Sequence, residues 1–291
     1  TFQVTSAEIE DELGVENIEF NLEDEFASAG LIVALKKPNS IVNKHYDVSD
    51  FSEIDAEAVK DLTALTGDIS EKECLNLQEF RQILYITLKN KTKENVLAAI
   101  DKLQIRDDVY LACPDFVISE TELESEEEGL QTSTASMAAS STSPNVVQPN
   151  DPYYETKQQD AFSAIHMAEA WNITKGSSDV LVGVIDGGIA YHEDLNANVS
   201  SLGKNATGIG QTSDFRNDPG GHGTIMAGII GAKGNNGKGI AGVCWNVQMV
   251  SLRTQNASGG DTTTSALYQA ITYAIDNNIK VLNYSIQRIQ N

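Results

Sequence analysis

The chain has 291 residues, of which 41% are hydrophobic, and this is enough for globular cores in an expected two domains. Its formal charge of −22 is uneven: residues 1–150 contain 30 acidic and 11 basic residues, against 12 and 9 in residues 151–291. So acidic a chain is not expected to bind nucleic acid through its phosphates. No apolar run approaches the roughly 18 residues of a membrane span. The scattered Cys74, Cys113 and Cys244 predict neither a metal site nor a disulfide framework.

The first part of the chain predicts an acidic arm followed by a small α+β module. Residues 1–25 are rich in acids and poor in apolar positions, which is typical of a weakly ordered segment. Residues 26–119 then show strand and helix periodicities. The expected strands cover residues 28–35, 81–88 and 109–119, and the expected helices cover residues 55–65 and 93–103. Pro114 should lie at an irregularity or on a sheet edge, because proline cannot donate to a strand ladder.

Residues 120–150 predict a linker between two domains. The five glutamates of residues 122–128 give way to a stretch rich in serine, threonine and alanine, and such a composition cannot bury apolar surface. A maturation cut would be easiest here. The composition changes beyond this point, since 18 of the 22 glycines lie in residues 151–291.

The last part of the chain predicts a parallel, doubly wound α/β sheet, because its strands and helices alternate. The expected helices cover residues 161–171 and 263–277, and the expected strands cover residues 180–186, 247–252 and 280–285. A further helix follows His222, and it should be buried on all sides because it is apolar all round from Met226 onward. The strand at residues 280–285 should present an unpaired apolar edge.

Two short stretches contain candidate catalytic residues. Residues 184–189, VIDGGI, end a buried strand with Asp186, at the sheet edge where open α/β sheets place functional groups. Residues 221–228, GHGTIMAG, place His222 at a helix start, where the helix dipole favours the neutral imidazole that a general base needs. Each residue taken alone has an ordinary structural explanation.

Taken together, 36 residues apart, VIDGGI and GHGTIMAG resemble the aspartate and histidine motifs of the subtilisin-like serine protease family, the subtilases. Further stretches are similar to its thermitase-like branch: PNDPYY at 149–154, AEAW at 168–171, NNGKGIAGV at 235–243 and VLNYS at 281–285. The resemblance implies that Asp186 orients His222 and that His222 is the general base. It also implies an exported protein whose residues 26–119 form a ferredoxin-like propeptide that inhibits the enzyme intramolecularly. No motif is specific to the propeptide, and the alternative for these residues is an unrelated accessory domain.

The resemblance stops after Ser285. These 291 residues contain no Gly-Thr-Ser-Met-Ala motif for the nucleophile and no oxyanion-hole asparagine, and the nearest lookalike, TASMA at 134–138, lies in the predicted linker. We therefore expect a propeptide and the N-terminal part of a catalytic domain (151–291) of an endopeptidase acting on peptides or proteins, inactive alone. The alternative is a truncated product or pseudoprotease that serves only as a binding or folding module. A nucleotide-binding α/β protein is disfavoured, because no glycine-rich phosphate motif follows the strand.

The resemblance further implies a structural calcium site and contacts to a substrate strand. Calcium takes six or more oxygen ligands. The family positions match the side chains of Asp151, Asp194 and Asn236 and the backbone oxygens of Lys233, Lys238 and Ile240. The positive charge of Lys238 counts against the ion. Substrate contacts are implied for Ser258, Gly259, Gly260 and Ser285, although ordinary loop and strand roles fit these residues equally well.

Overall fold

The computed structural model describes residues 20–36, 45–63, 82–119, 147–208, 211, 213–255 and 261–285. The predicted acidic arm and linker therefore lie outside the described residues, apart from 20–25 and 147–150. The chain divides into two compact units, residues 1–117 with 263–272 and residues 118–262 with 273–291. No helix in the described ranges is long and apolar enough to cross a membrane.

The first unit contains an antiparallel sheet and, among its described residues, one complete α-helix. Its strands follow the order β2-β3-β1-β4, with β1 at Phe26–Leu35, β2 at Ala56–Asp61, β3 at Ile83–Leu88 and β4 at Val109–Ser119. Helix α1, Lys93–Gln104, begins at Thr92, whose Oγ1 accepts the Asn95 N–H at 3.3 Å. Alternate β3 side chains are buried with one face of α1 in a single core: Leu84, Ile86, Leu88, Val96, Ile100 and Leu103. The likeness to a ferredoxin-like propeptide stays a prediction.

One predicted helix in this unit is wrong. Residues 55–65 begin with strand β2, which pairs with β3 so that Val59 lies opposite Ile86. A short 3₁₀-helix, Val48–Ile54, precedes it and ends at Asp55, which has a φ of 54°. The alanine, glutamate and lysine residues here favour helix, but pairing with a buried strand outweighs that propensity. Pro114 pairs with Leu31 where the β1–β4 register shifts.

The start of helix α5, Thr264–Asp276, belongs to the first unit. It is hydrogen-bonded there to the buried carboxylate of Asp115. Asp115 is 2% exposed, and its two oxygens accept the Ser265 N–H at 2.8 Å and the Ser265 hydroxyl at 2.7 Å. Burial raises the pKa of Asp115, while the two bonds from Ser265 act in the opposite direction. Thr272 adds a hydroxyl bond to the Leu62 carbonyl.

The second unit contains a parallel sheet, which confirms the predicted α/β class. Its strands follow the order β6-β7-β5-β9, with β5 at Gly176–Asp186, β6 at Val199–Asn205, β7 at Asn246–Arg253 and β9 at Val281–Tyr284. Strand β8, Asp261–Thr263, is not part of this four-stranded sheet. The buried side chains of Val184, Val247 and Met249 form the core of the sheet with Ala227, in the helix that begins at His222, and Ala232, just after that helix. Strand β5 is central, so its carboxyl end lies in the middle of one sheet edge.

The segment before β5 forms an aromatic cluster. A π-helical turn, Tyr154–Gln158, leads into α2, Gln159–Ala164, and α3, Met167–Ile173. The single helix predicted over residues 161–171 is thus wrong, because His166 adopts a φ of 56° and separates two helices. Trp171 and Trp245 are both buried, with ring centroids 4.9 Å apart, and Tyr154 and Phe162 pack beside Trp171.

The composition of helix α4, His222–Gly231, predicts burial on all sides, but the structure shows that one face is exposed. Its small residues face the sheet: a Cβ on Gly231 would come within 2.6 Å of Val247 Cγ1. Ile225 and Ile229, four residues apart on another face, are 61% and 44% exposed in the described structure. Strand β9 ends the described sheet, and its Val281, Leu282 and Tyr284 side chains are also exposed.

We predict that Asp115 makes the stability of the first unit depend on pH. Because burial raises its pKa above the ordinary 3.8, the folded state binds the proton more tightly than the unfolded state does. The free energy of unfolding should therefore fall as pH rises through 3.8 toward the raised folded pKa. Asp115→Asn and Asp115→Ala should both lack this component, and Asp115→Ala should in addition lose about 1–3 kcal/mol because it strands the Ser265 donors.

The measurement is urea unfolding of wild type and both variants at a series of pH values, followed by amide hydrogen exchange in β1 and β3. The difference between wild type and Asp115→Asn isolates this carboxyl from the other acids. A difference that does not change with pH would contradict the prediction.

Candidate active site

Asp186 and His222 meet at the carboxyl end of the central strand β5. Asp186 is the last residue of that strand and is fully buried, and His222 is the first residue of α4. The His222 Nδ1 lies 2.9 Å from Asp186 Oδ2 and 3.1 Å from Oδ1. Asp186 Oδ1 also accepts the Gly187 N–H at 2.7 Å. The structure thus brings together the two residues that the sequence motifs select.

Gly188 and Gly223 allow Asp186 and His222 to approach each other. A Cβ on Gly223 would lie 2.2 Å from the Gly188 carbonyl oxygen and 2.9 Å from the Asp186 Cβ. Gly188 has a φ of 127°, which side chains other than glycine rarely adopt. The turn after β5 and the first turn of α4 therefore touch backbone to backbone. Gly188 and Gly223 are therefore required by this packing.

The environments of the two side chains differ. Burial raises the pKa of Asp186, and the nearby Asp218 raises it further, while the Gly187 N–H and the His222 bond act to lower it. The His222 side chain is 36% exposed, so one side of its ring reaches solvent. When Asp186 is ionised it can only accept, so Nδ1 carries the proton and Nε2 is left as an acceptor. This is the tautomer in which an imidazole can take a proton from a hydroxyl.

The residues implied in substrate binding are only partly described. Ser258, Gly259 and Gly260 lie outside the described residues. Ser285 follows Tyr284, which pairs with Ile185, so Ser285 lies at the same sheet edge as Asp186. Its hydroxyl accepts the Asn283 Nδ2 at 2.9 Å. The position of Ser285 is therefore compatible with a role beside the candidate catalytic pair.

The side chains implied in calcium binding form one cluster. Asp151 and Asp194 are 4% and 2% exposed, and Asn236 reaches both: its backbone N–H donates to Asp151 Oδ1 at 3.2 Å and its Nδ2 to Asp194 Oδ1 at 2.7 Å. The other carboxylate oxygens accept the Asn235 and Ile240 N–H groups at 2.6 and 3.1 Å. Two carboxylates and an amide are donor types that suit calcium. No group of three or more His, Cys, Asp or Glu in the described ranges is arranged to hold a metal.

Lys238 directs its charge to a neighbouring acid. Its Nζ lies 2.6 Å from Glu193 Oε2 on the surface, and this hydrogen bond raises the pKa of Lys238 and lowers that of Glu193. The Lys233 N–H donates to the Asp194 carbonyl at 2.9 Å, so that position also borders the cluster. The lysine charge therefore has a partner beside the cluster.

The sequence analysis missed Asp218, four residues before His222. Its Oδ2 accepts the Thr224 N–H at 2.7 Å and the Thr224 hydroxyl at 2.5 Å in the first turn of α4. The N-cap position itself is Gly221, so the usual capping pattern does not select Asp218.

Comparisons with known proteins agree with this arrangement. The subtilase family profile matches residues 177–289. The thermophilic serine proteinase of Bacillus sp. (strain AK1) is 36% identical over 139 residues, covering 47% of this chain and 33% of that protein. Thermitase of Thermoactinomyces vulgaris is 35% identical over 144 residues, covering 47% of each chain. The minor extracellular protease Epr of Bacillus subtilis (strain 168) is 32% identical over 151 residues, or 51% of this chain and 22% of Epr.

A solved structure resembles nearly the whole chain in fold. Fervidolysin from Fervidobacterium pennivorans, a keratinolytic enzyme related to subtilisin, superposes with a TM-score of 0.54 at 16% identity, over 92% of this chain and 36% of its own. At that identity the likeness concerns the fold alone. The chain spans between 22% and 47% of the length of the three relatives above.

We predict opposite outcomes for two alanine substitutions in α4. Gly223→Ala should cost about 1–3 kcal/mol and separate His222 from Asp186, because the new Cβ collides with the Gly188 backbone. Gly228→Ala should be neutral or gain up to about 1 kcal/mol, since its Cβ meets only the flexible end of Ile240 at 3.3 Å and alanine favours helix.

Thermal unfolding of the two variants beside wild type provides the test, with the His222 imidazole signals followed by NMR. Equal midpoints for Gly223→Ala and Gly228→Ala would show that the backbone contact does not constrain α4.

Proposed function

The chain belongs to the subtilase family through residues 177–289, and on this premise we propose that it is part of a subtilisin-like serine endopeptidase precursor. In this proposal residues 151–291 supply the N-terminal part of the catalytic domain. Peptides and proteins are the substrates that the protease family implies. The observation that carries the proposal is the 2.9 Å contact between a buried aspartate at the end of a central parallel strand and a half-exposed histidine.

The geometry supports the following division of labour. Asp186 holds the proton of His222 on Nδ1 and stabilises the imidazolium that forms when Nε2 takes a proton from a serine hydroxyl. The serine would attack the scissile carbonyl, and the imidazolium would then return the proton to the leaving amine. A Gly-Thr-Ser-Met-Ala motif for that serine does not occur in these 291 residues. The proposal therefore requires a nucleophilic serine that these 291 residues do not present in that motif.

The remaining parts of the proposal concern substrate, inhibitor and location. Ser285 and residues 258–260 would contact an extended substrate strand. Residues 26–119 would act as an intramolecular inhibitor ahead of the catalytic part. Epr is by its name an extracellular protease, and the likeness to it supports export. The competing proposal is a truncated product or pseudoprotease that acts as a binding or folding module.

We predict that a polypeptide of these 291 residues does not hydrolyse peptides by the triad mechanism. Loss of the serine alone lowers turnover by roughly 10⁶-fold in subtilisin. The purified polypeptide should not react with a fluorophosphonate probe and should leave a fluorogenic peptide intact. Labelling that persists at high purity and vanishes in His222→Ala would contradict this prediction and require another nucleophile.

The two proposals are separated by extending the polypeptide with whatever the gene encodes after Asn291. Probe labelling of the extended protein that is lost in Asp186→Ala, His222→Ala and a variant of the added serine would support the endopeptidase. An extension without a reactive serine, or labelling that is unchanged in Asp186→Ala and His222→Ala, would favour the binding module.

We further propose that calcium binds at the cluster of Asp151, Asp194 and Asn236, with backbone oxygens of Lys233, Lys238 and Ile240 completing the ligand set. The observations that support it are the two buried carboxylates, which lie beside one loop and share Asn236. Bound calcium would add positive charge between these carboxylates, which otherwise rely on N–H donors.

The prediction is a rise in thermal stability when calcium is added to chelator-treated protein. Binding to the folded form alone stabilises by about 2.7 kcal/mol at a hundredfold excess over Kd. Asp194→Ala should abolish the shift. Glu193→Gln is the matched control, because this acid is adjacent in sequence but pairs with Lys238. No shift in wild type, or an equal shift in Asp194→Ala, would remove the site.

A further inference from the structure

Asp218 joins the first turn of α4 to the segment that follows Asp186. Its Oδ2 accepts two bonds from Thr224, one from the backbone N–H at 2.7 Å and one from the hydroxyl at 2.5 Å. The same Thr224 oxygen accepts the Ala190 N–H at 2.9 Å. A continuous relay therefore runs from the Ala190 N–H through the Thr224 hydroxyl to Asp218. Ala190 lies four residues beyond Asp186, and Thr224 lies two residues beyond His222, so the relay spans the two sides of the pair.

The second oxygen of Asp218 is in an unusual position. Oδ1 is buried and has no hydrogen-bond partner in the part of the chain that the structure describes. A Cβ on Gly187 would lie 2.5 Å from it, so this oxygen sits directly over the turn after Asp186. A buried carboxylate oxygen without a donor costs stability. Capping of α4 does not require the burial of Oδ1, because Oδ2 alone accepts both bonds from Thr224.

The charge of Asp218 is not neutralised by the nearest basic residues. Arg216 donates from Nε to the Ile189 carbonyl at 2.7 Å and from Nη2 to the Ala190 carbonyl at 3.1 Å. Arg253, opposite Asp186 on β7, donates to the Asp214 carbonyl at 3.3 Å. Two ionisable groups act on the pKa of Asp186: His222 lowers it and Asp218 raises it. Asp218 therefore adds a second negative charge beside the Asp186–His222 pair.

We propose that Asp218 is a positioning residue for the Asp186–His222 pair. It locks the start of α4 to the turn after β5, which keeps the His222 Nδ1 bond to Asp186 closed, and its uncompensated charge favours the protonated imidazole. Protonated His222 is the state that follows proton transfer from a nucleophile, so the effect would assist that step. The proposal rests on the proposed role of this pair in proteolysis, but its test does not require a proteolytic polypeptide.

The test follows the His222 ring by NMR in the full 291-residue chain, which has four histidines, with His222→Ala to assign the signal. Asp218→Asn keeps an oxygen for Thr224 and removes the charge. It should retain the Nδ1 proton resonance and lower the pH midpoint of the His222 titration by roughly half a unit, the scale of one nearby, partly solvated charge. Asp218→Ala removes the cap as well, so that resonance should broaden or vanish.

Asp214→Asn is the matched control, because Asp214 lies in the same loop but its carboxylate accepts the Gln211 N–H. This variant should behave as wild type in both readouts. If Asp218→Ala fails to fold, Asp218→Asn and Thr224→Ala test the proposal instead. Thr224→Ala interrupts the relay and leaves the charge of Asp218 in place. A wild-type resonance in Thr224→Ala together with a wild-type midpoint in Asp218→Asn would overturn the proposal.

Failure of this proposal can be distinguished from failure of the protease proposal. If no serine-bearing segment ever joins the chain, probe labelling fails while the NMR results stand. If Asp218 has no positioning role, the NMR results fail while labelling of an extended protein remains dependent on His222.

Discussion

The backbone contact between α4 and the turn after β5 is the constraint on which the candidate active site depends. Gly223 approaches the Gly188 carbonyl so closely that a single methyl group would not fit. At the other end of the helix Gly231 approaches Val247 and Met249 in the same way. The helix is therefore held at sheet contact at both ends. This packing places His222, the first residue of the helix, in contact with Asp186, the last residue of β5. The hydrogen bonds of Asp186, Thr224 and Asp218 then stabilise that position.

Sequence patterns predicted the parts of the fold in which local preference and tertiary environment agree. Strands β5 and β7 read as apolar, β-branched runs because they are buried in the middle of a parallel sheet. The failures occur where the two disagree. Residues 56–61 have helix-forming side chains but pair with β3, and the helix predicted over residues 161–171 is interrupted by the left-handed His166. Composition also cannot tell which face of α4 is covered, so the exposure of Ile225 and Ile229 was not predictable.

The candidate site shows the same division. Asp186 and His222 could be selected because each lies in a short stretch whose glycines are demanded by geometry, and the spacing of the stretches matches a known family. Asp218 could not be selected for its relay, because the relay depends on Ala190, 28 residues earlier, reaching Thr224. The hydrogen bonds around Asp151 and Asp194 likewise join segments more than 40 residues apart. Contacts of that kind are decided by the packed chain and leave no local pattern.

The aromatic cluster ahead of β5 has a consequence for spectroscopy. The chain has two tryptophans, Trp171 and Trp245, and both lie in the second unit with rings in contact. Tryptophan emission, excited where tyrosine does not absorb, therefore originates from that unit. Two indoles at 4.9 Å, with the Lys175 ammonium 5.4 Å from one ring, should also couple their transitions. The near-ultraviolet circular dichroism of this tryptophan pair should therefore indicate whether the α/β unit is folded.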